Sequence, residues 1–238
     1  MRENSHVSPP EPPAERTPAR AAVPMRRLAV FFKNPVAGKV KTRLARHLGE
    51  AQALAAYQAM AADLLSNLEA VRELVVPFFD SLPDEAGLGV EGLRLQRGRG
   101  LGERMADAFR RLFAEGVDEA LLIGSDIPQI DSFLIAGYFQ ALEAHDLVIG
   151  PAADGGYYLI GFHRRSFAPA LFRGIDWSTE RVYRQTLERA RSQGLAVYSG
   201  KTLRDIDTYE DLESLIRDRG AAPYLYELVR LFLERKGA

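Results

Sequence analysis

From about residue 27 onward, short apolar runs rich in β-branched and aromatic residues alternate with helix-length stretches. That alternation restricts the fold more than any other feature of the chain. The runs Leu28–Phe32, Leu74–Phe79, Ala120–Gly124, Leu147–Gly150, Tyr157–Phe162 and Leu195–Tyr198 are predicted strands. Helices are predicted over about 42–70 (as one or two), 103–115, 131–144, 179–193, 209–219 and 223–236. Strands separated by helices imply a mostly parallel sheet covered on both faces. The expected fold class is therefore α/β, one domain with a mostly parallel central sheet and helices on both faces. Such a sheet binds its ligands beyond the carboxyl ends of its strands, so the loops after Phe32, Gly124 and Gly150 should converge. Pro77, inside the second strand, is expected at an edge or a bulge.

The chain has 238 residues, enough for one sizeable core. Residues 1–24 are rich in Pro, Ala, Glu and Arg and nearly devoid of large apolar side chains, so they are expected to form a disordered tail, with the folded domain spanning 25–238. The tail has no apolar core of the kind a signal peptide needs. The formal net charge of −1 gives no general attraction to nucleic acid or to an anionic membrane, so any phosphate binding must come from local clusters. Cysteine is absent, which removes thiolate nucleophiles, disulfides and cysteine-based metal sites and fits a cytoplasmic location. No apolar run has the length of a membrane span.

The strongest local signal is Lys33-Asn-Pro-Val-Ala-Gly-Lys-Val-Lys-Thr-Arg43, between the first strand and the first helix. Lys33, Lys39, Lys41 and Arg43 stand there with no acid among them, and Gly38 lets backbone approach a ligand. A helix start favours phosphate, and an arginine binds it in a forked geometry. The spacing is not that of a Walker loop, and a solvated basic loop would have the same composition. Asp126, in Gly124-Ser-Asp-Ile-Pro128, follows a buried strand directly. A carboxylate there suits Mg2+ or Mn2+, or it caps a turn. Asp154-Gly155-Gly156-Tyr157 is either a tight turn between strands or a bare backbone facing substrate, with Asp154 on an acceptor or the metal and Tyr157 or Tyr158 packing on it. Asp205 and Asp207 alternate and share one face of an extended segment, which suits a cation. Equally, Asp207 or Thr208 begins a helix whose positive end Glu210 and Asp211 favour. The glycines before Arg104 form either a second anion cradle or a flexible loop. Trp177, the sole tryptophan, reads as a core or lid anchor. The four histidines, His6, His47, His145 and His163, show no ligand spacing.

Taken in order, the loop ending Lys41-Thr-Arg43-Leu, Leu101-Gly-Glu-Arg104-Met, Gly-Ser-Asp126-Ile-Pro, Gly-Pro-Ala-Ala-Asp154-Gly-Gly-Tyr-Tyr-Leu-Ile-Gly, Asp176-Trp-Ser-Thr and Asp205-Ile-Asp-Thr-Tyr-Glu-Asp-Leu resemble a bacterial family. Its members are the nucleotide-diphospho-sugar transferase-like proteins, also called radical-SAM/selenodomain-associated transferases. The likeness runs from about Arg27 to Arg219. The lysine-rich loop and Asp205-Ile-Asp-Thr are also similar to 2-phospholactate guanylyltransferase. The resemblance implies a glycosyltransferase-A-like fold, with Asp126 and Asp207 holding Mg2+ or Mn2+. It implies Lys33, Lys39, Lys41 and Arg43 on the nucleotide phosphates. It implies a donor that is a nucleoside triphosphate or a nucleotide sugar, and a small-molecule acceptor. The strand-end motif has one Asp where glycosyltransferases of this fold carry Asp-x-Asp. Asp126, Lys41, Arg43 and Asp154 are the expected catalytic residues, Gly38 and Arg104 join the phosphate set, and Asp154, Gly155, Gly156 and Tyr157 the acceptor set. The rival expectation is a non-catalytic nucleotide-binding module on the same fold.

Overall fold

A computed structural model describes residues 23–83, 88–217 and 222–236. The tail expected over 1–24 lies outside the described residues except for Val23 and Pro24, and so do the last residues of the helix expected to reach 219. Along the chain run β1 (Arg26–Phe32), α1 (Thr42–Leu48), α2 (Glu50–Asn67), β2 (Val75–Phe79), β3 (Arg94–Leu95), α3 (Leu101–Ala114), β4 (Glu119–Gly124) and α4 (Ser132–Leu142). They are followed by β5 (Leu147–Pro151), β6 (Tyr157–His163), α5 (Val182–Ser192), β7 (Val197–Ser199), α6 (Tyr209–Arg217) and α7 (Pro223–Lys236).

The strands form one sheet in the order β3-β2-β1-β4-β6-β5-β7, and only β6 runs against the rest. The predicted strands and helices are all present. The long helical stretch after the basic loop divides at Gly49, whose φ of 89° ends α1 and starts α2. The two-residue strand β3 lies in the glycine-rich stretch where no strand is legible. It reaches only Phe78 and Phe79 of β2, so β2 is still an edge at Pro77, where a missing N–H costs no ladder bond.

Alternation along the buried strands splits the core. Ala29 and Phe31 of β1 and Ala120 and Leu122 of β4 pack with Met105, Phe109 and Leu112 of α3 and Ala190 of α5. Leu28, Val30 and Phe32, with Leu121 and Ile123, pack on the other face against Ala61 and Leu64 of α2 and Ile135, Phe139 and Leu142 of α4. The sheet is thus covered on both faces. A third cluster joins Leu44 of α1, Ala56 and Met60 of α2, Ile206, Leu212 of α6 and Leu225 and Val229 of α7. It braces the start of α1, which carries the basic loop.

Asp63 ties that cluster together. Although it lies inside α2, its carboxylate is fully buried and accepts the backbone N–H groups of Tyr224 and Leu225, both at 2.9 Å. These are orphan donors of the first turn of α7. Removing the acceptor leaves both N–H groups buried and unpaired. Asp63→Ala is therefore expected to lower stability by about 2–3 kcal/mol, read as a lower urea midpoint with an unchanged slope. An unaltered midpoint would rule out this cap as a contributor.

Candidate active site

The parallel strands end at one edge of the sheet, and a cavity of about 690 Å³ opens there. It is lined by Lys33 and Arg43 from the basic loop and α1, Asp80 after β2, Gln96 after β3, Arg104 of α3 and Asp126 after β4. The lining also holds Asp154, Gly156 and Tyr157 from the β5–β6 hairpin, Trp177 to Glu180, and Asp205 with Asp207. A smaller cavity of about 360 Å³ beside α2, among Leu65, Leu68, Arg72 and Val90, holds none of the candidate residues.

Of the sequence candidates, Lys33, Arg43, Arg104, Asp126, Asp154, Gly156, Tyr157 and Asp207 share the large cavity. Lys39 and Gly38 are exposed outside its lining, and a Cβ on Gly38 would touch the Glu50 carboxylate at 3.2 Å. Gly155 is also outside it. There a Cβ would lie 2.6 Å from the Glu180 carbonyl carbon, so the glycine serves the packing of the hairpin on the 178–183 segment. Tyr183 N–H donates to the Gly155 carbonyl at 2.9 Å. The turn reading of Asp154-Gly-Gly holds. Asp154 accepts the Gly156 N–H at 2.8 Å, as a turn residue does, and still lines the cavity.

Lys41 departs most from its expected place. It is 7% exposed, and φ of 46° and ψ of 45° turn its side chain inward at the N-cap of α1. Its ammonium reaches Asp126 Oδ1 at 2.5 Å, Asp207 Oδ1 at 3.0 Å and the Ile206 carbonyl at 2.7 Å. An ammonium has three donors, and all are used. From this loop and the start of α1, Lys33 and Arg43 are the basic side chains that line the cavity. Burial by itself lowers the Lys41 pKa, but Asp126 and Asp207 override it and hold the ammonium above the ordinary lysine value. Burial likewise pushes the Asp126 carboxyl up, and the Lys41 ammonium overrides that and holds it below the usual carboxylate range.

The supports are local. Tyr57 of α2 accepts the Lys33 N–H at 2.8 Å, donates to the Lys33 carbonyl at 3.0 Å and meets the buried Ser125 hydroxyl at 3.3 Å, binding the basic loop to the Asp126 turn. Gln96 donates to the Phe32 and Phe78 carbonyls at 3.1 and 3.0 Å. Asp211 accepts the Asp207 and Thr208 N–H groups at 3.2 and 3.0 Å, and its own N–H donates to the Thr208 hydroxyl at 3.2 Å. This capping box starts α6 and fixes the Asp207 backbone while its carboxylate lines the cavity, so the helix-start reading of that segment holds. The Thr208 and backbone donors outweigh burial and keep Asp211 below the usual carboxylate range. Asp205 is the opposite case: burial first, then the neighbouring Asp154 charge, push its carboxyl up. Tyr57 and Asp80 carry no motif and are not legible in the sequence, while Gln96 opens the glycine-rich stretch before Arg104. Trp177 stands edge-on to Tyr157, with ring centroids 6.4 Å apart, and a Cβ on Gly102 would lie 2.6 Å from its ring. Gly102 is therefore needed for α3 to pass the indole.

Asp126 and Asp207 suit a hard divalent cation. Each gives one oxygen, Oδ1, to Lys41, and their side chains are 38% and 39% exposed on the same cavity. Among the described residues no group of three or more His, Asp or Glu side chains converges to hold an ion alone. A bound Mg2+ or Mn2+ would complete its shell with water and donor phosphates, as these ions commonly do. Among the described residues no helix is long and apolar enough to cross a membrane.

Residues 78–179 match a family model described as "Uncharacterized protein conserved in bacteria (DUF2064)". A solved structure from Desulfovibrio desulfuricans G20, named as a "putative nucleotide-diphospho-sugar transferase", is 35% identical over 86% of this chain and 94% of that one, with a TM-score of 0.79. The bifunctional IspDF of Campylobacter jejuni is similar in fold alone, at 8% identity over 79% of this chain and 53% of that one, with a TM-score of 0.50. A cytidylyltransferase from Leptospira borgpetersenii aligns at 15% identity over 90% and 96%, with a TM-score of 0.48. No curated protein matches the sequence.

The triad sets a pH window. Its stabilisation is present between the ordinary carboxylate and lysine ranges. It is lost as pH falls through the depressed Asp126 value or rises through the elevated Lys41 value. Breaking a fully buried pair costs several kcal/mol, and the exposed carboxylates here reduce that. Lys41→Met should cost about 1–3 kcal/mol near neutral pH. The cost should shrink as pH falls, because without the Lys41 ammonium burial is left to raise the Asp126 carboxyl, which then takes up a proton more readily. Urea unfolding at neutral and at mildly acidic pH checks this, and a cost independent of pH would contradict it.

Proposed function

This chain belongs to the nucleotide-diphospho-sugar transferase-like family of its Desulfovibrio relative, and from that premise we propose that it is a divalent-cation-dependent transferase taking a nucleotide donor. The observation that carries this is that Lys33, Arg43 and Arg104 line the same cavity as Asp126 and Asp207. Cations alone suit any anion, and carboxylates alone suit any cation. A nucleotide di- or triphosphate carrying a metal needs both at once.

In this proposal Lys33, Arg43 and Arg104 neutralise the donor phosphates, the two arginines through forked contacts. The Gly98 carbonyl and Gln96 hold Arg104 at 3.3 and 3.5 Å, which fixes its guanidinium in the cavity lining. Asp126 and Asp207 hold the cation, which supplies charge neutralisation at the phosphates when bound. Asp154, Gly156 and Tyr157 line the acceptor side, with Trp177 as its apolar wall. With a nucleoside triphosphate, an acceptor oxygen forms the new bond to the α-phosphorus and pyrophosphate leaves with the electron pair. With a nucleotide sugar, the acceptor oxygen bonds the anomeric carbon, a nucleoside diphosphate leaves, and Asp154 takes the acceptor proton. Gly124 stands where an Asp-x-Asp motif would place its first carboxylate, which favours the nucleotidyl version. Catalysis rests on positioning and charge neutralisation.

Incubation with each nucleoside triphosphate, and separately with nucleotide sugars, across a panel of small acceptors separates the versions by release of pyrophosphate or nucleoside diphosphate. Asp126→Asn is expected to lower turnover by about 100-fold or more, and Arg104→Ala to raise KM for the donor by about ten-fold. Full turnover in Asp126→Asn would end the proposal. Nucleotide binding in a calorimeter with no turnover on any acceptor would make the chain a nucleotide-binding module instead.

A further inference from the structure

Lys41 is the only charged side chain that touches both proposed cation ligands among the contacts described, and it touches them from the protein side. Its nitrogen bonds Oδ1 of Asp126 and Oδ1 of Asp207, each through a single oxygen of the carboxylate. The third proton goes to the Ile206 carbonyl, so the ammonium cannot rotate toward the cavity without losing a buried bond. The backbone adds to this. Lys41 is in the left-handed region with φ of 46°, a conformation that costs a non-glycine residue free energy and persists where the surroundings hold it. Val40 and Leu44 on either side are buried. The positive charge is therefore fixed beneath the carboxylate pair rather than carried on a mobile arm.

A fixed cation there has two consequences of opposite sign. It repels a bare divalent ion approaching Asp126 and Asp207. It attracts the same ion once that ion is bound to a nucleotide whose phosphates make the complex net anionic. By holding Oδ1 of each acid it also orients the remaining oxygens, as outer partners of metal ligands do. We propose that Lys41 is a positioning residue that makes the site discriminate against free divalent cation and in favour of cation delivered with its nucleotide. It acts through the two carboxylates and does not touch phosphate. This rests on the cation-dependent transferase proposed above and adds an order of loading: the metal enters with the donor.

The test is Mn2+ binding followed by electron paramagnetic resonance on the full chain, for the wild type, Lys41→Met, Lys41→Gln and Lys41→Arg, with far-UV circular dichroism to establish folding. With Mn2+ alone, Lys41→Met and Lys41→Gln are expected to bind about ten-fold or more tightly than the wild type, and Lys41→Arg to stay near it. With ATP, GTP, CTP or UTP added in turn, the order should invert for whichever nucleotide binds, the neutral variants holding the Mn2+ complex more weakly than the wild type. Folded neutral variants that bind bare Mn2+ no better than the wild type would overturn the proposal. The wild type is a check that needs no variant, because bare Mn2+ bound in the micromolar range without nucleotide would also overturn it. If none of the nucleotides binds, the transferase proposal fails, while the bare-ion comparison still decides the role of Lys41.

Discussion

A lysine ammonium cannot be buried alone; it needs charge and hydrogen bonds to offset the loss of water. Lys41 finds both in Asp126, Asp207 and the Ile206 carbonyl. Those partners come from the end of β4 and from the approach to α6, far along the chain. One side chain therefore pins the basic loop, the central strand end and a C-terminal segment to one point. The Ile206 N–H donating to the Asp126 carbonyl at 3.1 Å closes the same junction through the backbone. Asp126 and Asp207 both line the cavity, so the position of these two acids depends on this buried charge.

The sheet makes the junction reachable. β1, β4 and β5 point the same way, so the segments that follow them emerge at one edge. β6 reverses direction between β4 and β5 and returns the chain from that edge, which carries Asp154, Gly156 and Tyr157 into the cavity wall. The glycines at this edge serve close approach. Gly155 meets the backbone of Glu180, and Gly102 meets the ring of Trp177. The cavity lining thereby brings basic, acidic and aromatic side chains together.

The third apolar cluster links stability to the site. α7 is capped by Asp63 from within α2, and both pack around Leu44 at the start of α1. α6 begins on a capping box whose acid, Asp211, grips the Asp207 backbone. Elements with no residue in the cavity therefore fix the φ and ψ of those that have one, which is how a loop-borne site stays ordered.

Order and type of the elements were legible in the sequence because the apolar period and the glycine and proline punctuation act within a few residues. The α/β class, the convergence of the strand-end loops and the helix start at Thr208 were legible, and the structure has them. β3 was not legible, since two residues carry no period. The reversal of β6 was open too, since Asp154-Gly-Gly suits a turn as well as a loop. The basic loop shows the limit most clearly. Lys33, Lys39, Lys41 and Arg43 look equivalent in sequence. Yet Lys33 and Arg43 line the cavity, Lys39 faces outward, and Lys41 is buried beneath the acids. Residue type determined that this segment carries positive charge. Only tertiary structure decided where each charge points, because a single left-handed residue and acceptors more than 160 positions away set that direction.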